Sequence, residues 1–335
     1  MTENVLINDF RIKFSSTTFS NYKKSEVVKK LINCMYYQKI EESYYWTCEL
    51  LCSNFIIDLW EIYFLFMSKY IHKENPKLPI YLIKKYGDFK TLAQSVNNDF
   101  ELRNNISIRI ILCTITTILT MSKKGNIIEN VKQDYYFDAD KLYENLQAPN
   151  MSYAESIFTM NDPKEYFISL NELAYHLKET KNRVYIYYWI NWIIKYDALC
   201  NKKKNFILCY KRKFVIVDHK RLSLNIIWMV WDLFFDIIKN NKSKSKIINS
   251  LLECFSVKYK QSTNNKRISI LFFCVEIIIE NINFNVPLIN NNEIINTINN
   301  NINIIFETIK KNEIPEDPDK PMTKKDIYEL AYNKL

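Results

Sequence analysis

The chain has only two glycines, Gly87 and Gly125, among its 335 residues. Glycine supplies the positive-φ turns and the close backbone approach that phosphate-binding loops, dinucleotide folds and nucleophile elbows require. Accordingly, the sequence contains no GxGxxG, GxxxxGK[S/T] or GxSxG motif. These absences exclude the enzyme classes that depend on such loops. We therefore predict a non-enzymatic protein with no catalytic residues and no cofactor.

Histidine is scarce as well, and no pair of histidines has the spacing of metal ligands. The three histidines are His72, His176 and His219. Cys200, Cys209 and His219 form one weak alternative, a zinc site with loose spacing. Asp138 and Asp140 form a second, for a divalent cation. Neither set has a companion motif, so we predict no metal site.

Long uninterrupted apolar runs are also absent. A membrane-spanning helix needs about 18 or more apolar residues in succession, and the best segments are interrupted by Asp58, Arg109 or Glu276. The first 24 residues are polar and lack the apolar core of a secretory signal. The eight cysteines follow no regular spacing. We expect a soluble protein in a reducing compartment, with thiols that behave as small apolar side chains.

Helical periodicity is what the sequence has in abundance. Hydrophobic residues make up 48% and aromatic residues 15% of the chain, which is enough for a large core. Apolar residues recur at spacings of three and four, the period of an amphipathic helix. The pattern predicts helices at residues 25–42, 44–53, 55–72, 80–95, 99–121, 163–180, 183–199, 223–240, 244–261, 265–282 and 290–311. The predicted fold class is mainly α, as a multi-helix bundle or an irregular helical-repeat architecture.

A partial internal echo bears on the choice between those two architectures. The tetrapeptides at residues 189–192 and 228–231 both begin and end with tryptophan, and each is followed by an aspartate and a basic run. Such an echo is compatible with a helical repeat. Tryptophans that anchor two amphipathic helices in one core explain it more simply.

Residues 205–218 break the helical pattern, because apolar residues alternate there and end in a β-branched run. Alternation with β-branched residues is the signature of a strand. We predict a short β-hairpin insertion, with Lys211, Arg212 and Lys213 at its tip or on its exposed face.

Shifts in composition divide the chain into five parts. Glycine and proline interrupt residues 122–162 through Gly125 and Pro149, and three prolines follow residue 311. The predicted parts are an N-terminal arm (1–24), an N-terminal helical domain (25–121), an irregular connection (122–162), a C-terminal helical region with the basic hairpin (163–311) and a proline-containing tail with a short helix (312–335).

Positive charge is concentrated in residues 195–267. This region has 17 Lys and Arg against five Asp and Glu, a net +12, whereas the whole chain carries +9. Lysine and arginine neutralise phosphates, and interleaved aromatic side chains can stack on unpaired bases. The same charges could instead form a solvated face or meet an acidic protein. The predicted nucleic-acid-binding residues are Lys202, Lys203, Lys204, Lys211, Arg212, Lys213, Lys220 and Arg221.

Five segments carry a family resemblance. They are residues 49–82 (including DLWEIYFLFMSKYIHKENPKLP), 99–112, 146–177 (including MNDPKEYFISLNELAYHL), 187–204 (YYWINWIIKYDALCNKKK) and 226–235 (IIWMVWDLFF). Together they resemble a conserved, uncharacterised protein family of nucleocytoplasmic large DNA viruses, of the mimivirus and algal-virus type. The frequent Asn and Ile fit an AT-rich genome of that kind. The chain departs from the family at Asn54, where we expect glycine.

The resemblance implies a setting and no residue roles. Such viruses replicate in cytoplasmic factories and encode their own transcription, replication and packaging proteins, so the expected location is the host cytoplasm or the virion interior. Our first hypothesis is a non-enzymatic viral accessory factor that contacts nucleic acid, DNA or RNA, or a nucleoprotein assembly, through residues 195–267. The alternative is a helical interaction scaffold or internal virion protein that binds an acidic viral protein and no nucleic acid. No membrane partner is expected.

Overall fold

The structure is a computed structural model that describes residues 5–9, 11, 14–128, 135, 137, 139–289 and 302–314. These residues are mainly helical, which confirms the mainly α part of the predicted fold. The first half of the chain contains α1 (Lys24–Tyr36), α2 (Ile40–Cys52), α3 (Ile56–Phe66), α4 (Leu78–Gln94), α5 (Asp99–Asn104) and α6 (Ile106–Met121). The second half contains α7 (Ala139–Tyr143), α8 (Phe167–Tyr175), α9 (Arg183–Lys202), α10 (Ile227–Ile238), α11 (Lys242–Ser256), α12 (Thr263–Lys266), α13 (Ile268–Ile279) and a helix at 302–310.

Asparagine side chains begin several of these helices. The helix predicted at 99–121 is divided at Asn105, whose Oδ1 accepts the backbone N–H of Ile108 at 3.1 Å and so starts α6. An acceptor at this position satisfies one of the unpaired N–H groups of the first turn. Three further helices have the same cap, from Asn98, Asn182 and Asn241.

Other residues occupy the left-handed conformations that glycine usually takes. Neither glycine has a positive φ. Asn54, at the position where the family resemblance leads us to expect glycine, has a φ of 57°. Left-handed backbone after a helix is ordinarily filled by glycine because it has no Cβ. The non-glycine residues with positive φ are Asn21, Gln38, Asn54, His72, Lys181, Lys204 and Lys258.

Helix α13 lies at the centre of the fold. Every residue from Ile268 to Ile278 is buried, and the helix packs against α3, α9, α10 and α11. The hydroxyls of Ser68 and Ser269 are hydrogen-bonded at 2.8 Å, so the first and second halves of the described chain share one continuous core. The tryptophans of the internal echo are buried in that core, which supports their role as anchors: Trp189, Trp192, Trp228 and Trp231.

The predicted β-hairpin is wrong for residues 205–218. Within the described residues no β-strand forms, and this segment is irregular with a turn at residues 213–214. Its backbone groups bond elsewhere: the Cys209 N–H donates to Leu224 O at 2.9 Å and the Tyr210 N–H donates to Asp162 Oδ1 at 2.9 Å. The alternation of apolar residues arises because Cys209 and Val215 pack in the core, whereas Leu208 and Ile216 face solvent.

The N-terminal arm and the 302–314 segment lie together beside α5 and α6. Asn104 accepts the backbone N–H of Ile7 and donates to its carbonyl, both at 2.9 Å. The buried carboxylate of Asp9 accepts the backbone N–H of Ile314 at 2.9 Å. Segments that begin and end the described chain are therefore joined directly.

Two predictions lie outside the described residues. They are the tail from residue 315 onward and the cation alternative at Asp138 and Asp140, since Asp138 and the side chain of Asp140 are not described. Among the helices that the structure describes, none is long and apolar enough to cross a bilayer.

Candidate nucleic-acid interface

Residues 202–221, which we call the basic segment, run from the end of α9 to the turn before α10. Seven of the eight predicted site residues are exposed here: Lys202, Lys203, Lys204, Lys211, Lys213, Lys220 and Arg221. Among the described residues, none of these seven cations has a carboxylate oxygen within 4.0 Å. Their charge therefore faces solvent without an ionic partner.

Aromatic and aliphatic side chains are exposed between these cations. Phe206 and Tyr210 are 47% and 54% exposed, and Leu208 and Ile216 project from the same stretch. The Arg221 guanidinium lies 3.6 Å from the centroid of the Phe206 ring, a cation–π contact. Exposed rings next to unpaired cations are the combination that single-stranded nucleic acid uses, because bases stack on the rings and phosphates meet the cations.

Arg212 does not belong to this exposed set, which corrects its prediction as a phosphate contact. Its side chain is buried and its guanidinium binds Asp162 through Nη1–Oδ1 and Nη2–Oδ2 at 2.5 and 2.9 Å. Nε donates to Asp232 at 2.9 Å. Although burial opposes ionisation of Asp162, the hydrogen bonds from Arg212 and from backbone N–H groups hold its pKa below the usual value. Arg212 therefore fastens the basic segment to the core.

The choice of arginine at position 212 indicates this burial, whereas the net charge of the segment does not. Arg212 is the single arginine of a Lys-Arg-Lys triplet. A guanidinium can bind two carboxylates through several fixed donors and is the cation of choice for buried ion pairs, whereas lysine stays hydrated at the surface. The two lysines on either side, Lys211 and Lys213, are exposed.

Asp197 on α9 joins the basic segment to a second basic stretch. Its carboxylate is buried and accepts hydrogen bonds from the amides of Asn201, Asn225 and Gln261 at 2.9, 3.2 and 2.5 Å. Burial raises its pKa, and these three amides oppose that rise. Arg221 Nη2 donates to Asn201 Oδ1 at 3.1 Å. A continuous hydrogen-bonded path therefore runs from the basic segment to residues 257–262, where Lys258 and Lys260 are exposed.

A separate pocket of about 490 Å³ surrounds the carboxylate of Glu276 on α13. Arg183 Nε donates to Glu276 Oε1 at 2.6 Å, the Tyr187 hydroxyl donates to it at 3.0 Å, and Lys73 Nζ lies 3.7 Å from Oε2. Burial opposes ionisation, but the Arg183 hydrogen bond keeps the pKa of Glu276 below its usual value. The cations of this pocket are thus already paired.

Two π-helical turns precede residues that line that pocket. They are Met67–Ile71 and His176–Thr180, and both pack against α13. The first ends at His72, whose Nε2 lies 2.7 Å from Asn126 O and whose φ is 36°. Burial lowers the pKa of His72, which favours the neutral ring. π-turns recur at functional sites, but this one supplies a fixed, uncharged imidazole beside satisfied ion pairs.

The residues proposed as weak zinc ligands are not brought together. Cys200 and Cys209 are buried and His219 is exposed. Across the described ranges, no group of three or more His, Cys, Asp or Glu side chains could hold a metal ion. All eight cysteines are free thiols.

The fold and the exposed cations define this chain as a mainly α protein with a basic, aromatic-bearing surface segment. Comparison with known proteins found no matching family model, curated protein or solved structure.

Proposed function

We infer that the protein binds nucleic acid through the basic segment. The observation that carries this inference is the set of seven exposed cations without a carboxylate partner among the described residues, interleaved with the exposed rings of Phe206 and Tyr210. Cations neutralise phosphates with release of counterions, and rings stack on bases. The exposed rings favour a single-stranded ligand, since bases in a duplex are not free to stack on a side chain.

The distribution of charged residues between the surface and the interior also supports nucleic-acid binding. Asp197 and Asp232 are engaged by buried or half-buried partners, and Asp236 is bound by Lys239 and Ser156. The acids of the 195–267 region are therefore largely committed to structural contacts, while most of its cations face water. The cations that face water outnumber the exposed acids, so the surface of this region is positive, which favours binding of a polyanion.

The family resemblance suggests where this activity would operate. In a nucleocytoplasmic large DNA virus, a basic helical protein would serve as an accessory factor on DNA, RNA or a nucleoprotein assembly in the cytoplasmic factory or the virion. This viral setting rests on the sequence resemblance alone.

Fluorescence anisotropy across a salt series tests the proposal, with nuclease-treated protein and labelled single-stranded DNA, duplex DNA and RNA. We expect Lys211→Glu/Lys213→Glu to reduce the slope of log K against log salt by about 2, about one unit for each lost contact. The matched control is Lys29→Glu/Lys311→Glu, which reverses two exposed charges outside residues 195–267. Equal binding by both double variants, at an unchanged melting temperature, would contradict the proposal.

A protein-interaction scaffold is the second candidate, favoured by the exposure of Leu208 and Ile216, which are 40% and 61% exposed. Apolar side chains beside cations suit an acidic amphipathic partner. Absence of binding to all three nucleic acids at low salt would favour this candidate. Loss of a viral partner on Leu208→Asp, with retention by Lys211→Glu/Lys213→Glu, would then identify the apolar contact as the determinant.

A further inference from the structure

A second pocket, of about 310 Å³, lies between α3, α4 and residues 257–267, and we call it the aromatic pocket. Its size is at the lower end of small-molecule sites, which span about 300–1,000 Å³. Its lining differs from that of the Glu276 pocket because aromatic rings and exposed lysines both contribute to it. The hydrogen-bonded path through Asp197 and Gln261 links residues 257–262, which border this pocket, to the basic segment.

The wall formed by α3 and α4 is aromatic. Trp60, Phe64 and Tyr86 line it, and the Trp60 and Tyr86 rings meet edge to face with centroids 5.1 Å apart. Ile57 stands at the pocket and is 41% exposed. Trp60 is buried, and its indole N–H has no hydrogen-bond acceptor among the described residues.

The opposite wall is basic. Lys258, Lys260 and Lys266 line the pocket and are exposed. Glu61 also lines the pocket. The Nε of the buried Arg267 lies 3.1 and 3.2 Å from Oε1 and Oε2 of this carboxylate. Lys266 Nζ lies 3.6 Å from the same carboxylate. Lys258 and Lys260 have no carboxylate within 4.0 Å in the described part of the chain.

We propose that the aromatic pocket binds one nucleoside phosphate, with the base against Tyr86 and Ile57 and the phosphate on Lys258 and Lys260. An aromatic base matches the ring of Tyr86, and its phosphate matches two ammonium groups that have no carboxylate partner among the described residues. Side-chain ammonium groups need no glycine-rich loop, so the site is compatible with the scarcity of glycine. If the nucleotide is one unit of a strand, this proposal rests on the proposed function, the binding of nucleic acid by the basic segment.

The nucleotide could be free or one unit of a single strand that also follows the basic segment. Isothermal titration with AMP, adenosine and inorganic phosphate measures the first source. Anisotropy with a labelled ten-nucleotide single strand measures the second. We expect AMP to bind more tightly than adenosine or phosphate, because only AMP uses both walls.

Three variants separate the pocket from the basic segment. Ile57→Trp fills the pocket without changing charge, and Lys258→Gln/Lys260→Gln removes the phosphate contacts; each is expected to weaken AMP binding about tenfold or more. Ile127→Trp is the matched control, because Ile127 is 40% exposed and lines the Glu276 pocket instead. Lys211→Gln/Lys213→Gln should weaken strand binding and leave AMP binding unchanged.

Each result decides between the two proposals. AMP binding that Ile57→Trp abolishes supports a free nucleotide. Strand binding that Ile57→Trp weakens, without AMP binding, supports a nucleotide within a strand. If AMP does not bind and Ile57→Trp leaves strand binding equal to that of Ile127→Trp, the aromatic pocket is not a nucleotide site. The proposed function would survive that outcome if Lys211→Gln/Lys213→Gln still weakens strand binding.

Discussion

Arg183 and Glu276 join the start of α9 to the last turn of α13 through a hydrogen bond of 2.6 Å between Nε and Oε1. Arg183 follows the π-turn at His176–Thr180, and Lys73, which reaches the same carboxylate, follows the π-turn at Met67–Ile71. Each π-turn thus directs a cation toward one buried glutamate. The arrangement fixes both turns against the central helix.

Removing this carboxylate should destabilise the protein. Loss of one partner of a buried ion pair costs about 3–5 kcal/mol, and because Arg183 is 43% exposed we expect about 1–3 kcal/mol for Glu276→Gln. The control is Glu42→Gln, whose pairing with Lys39 is exposed on both sides and is expected to contribute less than about 0.5 kcal/mol. Urea denaturation at pH 7 measures both.

The stabilisation that Glu276 provides should depend on pH. The pKa of Glu276 is lower in the folded protein than its ordinary value of 4.5, so its ionised form stabilises the fold above that value. That stabilisation is lost as the pH falls through the lowered folded pKa. The difference in unfolding free energy between wild type and Glu276→Gln should therefore be constant from pH 5 to 7 and shrink below about pH 4.5. A difference that stays constant to about pH 2 would contradict this.

The two glycines should respond to alanine in opposite directions. A Cβ on Gly125 would lie 2.5 Å from Cε1 of His72, whose ring is held by Asn126, so Gly125→Ala should cost about 1–3 kcal/mol. A Cβ on Gly87 meets nothing within 4 Å, and Gly87 lies within α4. Gly87→Ala should therefore stabilise by about 0.5–1 kcal/mol. Thermal denaturation of the pair, with each variant as the other's control, checks both signs.

Neighbours in the Lys-Arg-Lys triplet should differ sharply in their effect on stability. Arg212→Ala leaves two carboxylates, Asp162 and Asp232, without their cation, and we expect a loss of about 3 kcal/mol. Lys211→Ala and Lys213→Ala alter exposed side chains and should stay within about 0.5 kcal/mol of wild type. Chemical denaturation of the three variants would overturn this assignment if they proved equally stable.

Lys181 tests whether a residue other than glycine pays a free-energy cost in the left-handed backbone conformation. Lys181 has a φ of 52°, which a residue with a Cβ adopts at a cost. Lys181→Gly should relieve that cost and stabilise by up to about 1 kcal/mol. The matched control is Lys29→Gly within α1, where glycine should destabilise by about 1 kcal/mol. Equal destabilisation by both would show that the backbone at Lys181 is not strained.

Helix positions were predictable because most helices bury a stripe of apolar residues whose spacing is local in sequence. The hairpin prediction failed at residues 205–218 because alternation reports one buried side, and a strand partner is not needed to create it. Arg212 was misassigned for a related reason: its carboxylate partners lie 50 and 20 residues away in the chain. The π-turns and the aromatic pocket depend on which helices pack together, and local periodicity carries no information on that.

The bond between Asp9 and Ile314 has a consequence for the order of folding. These residues are separated by 305 positions, so their contact closes nearly the whole described chain into one loop. Closing such a loop early costs entropy that only a formed core offsets. The arm and the 302–314 segment should therefore dock last, and their amide protons should exchange before those of α13 in hydrogen-exchange measurements.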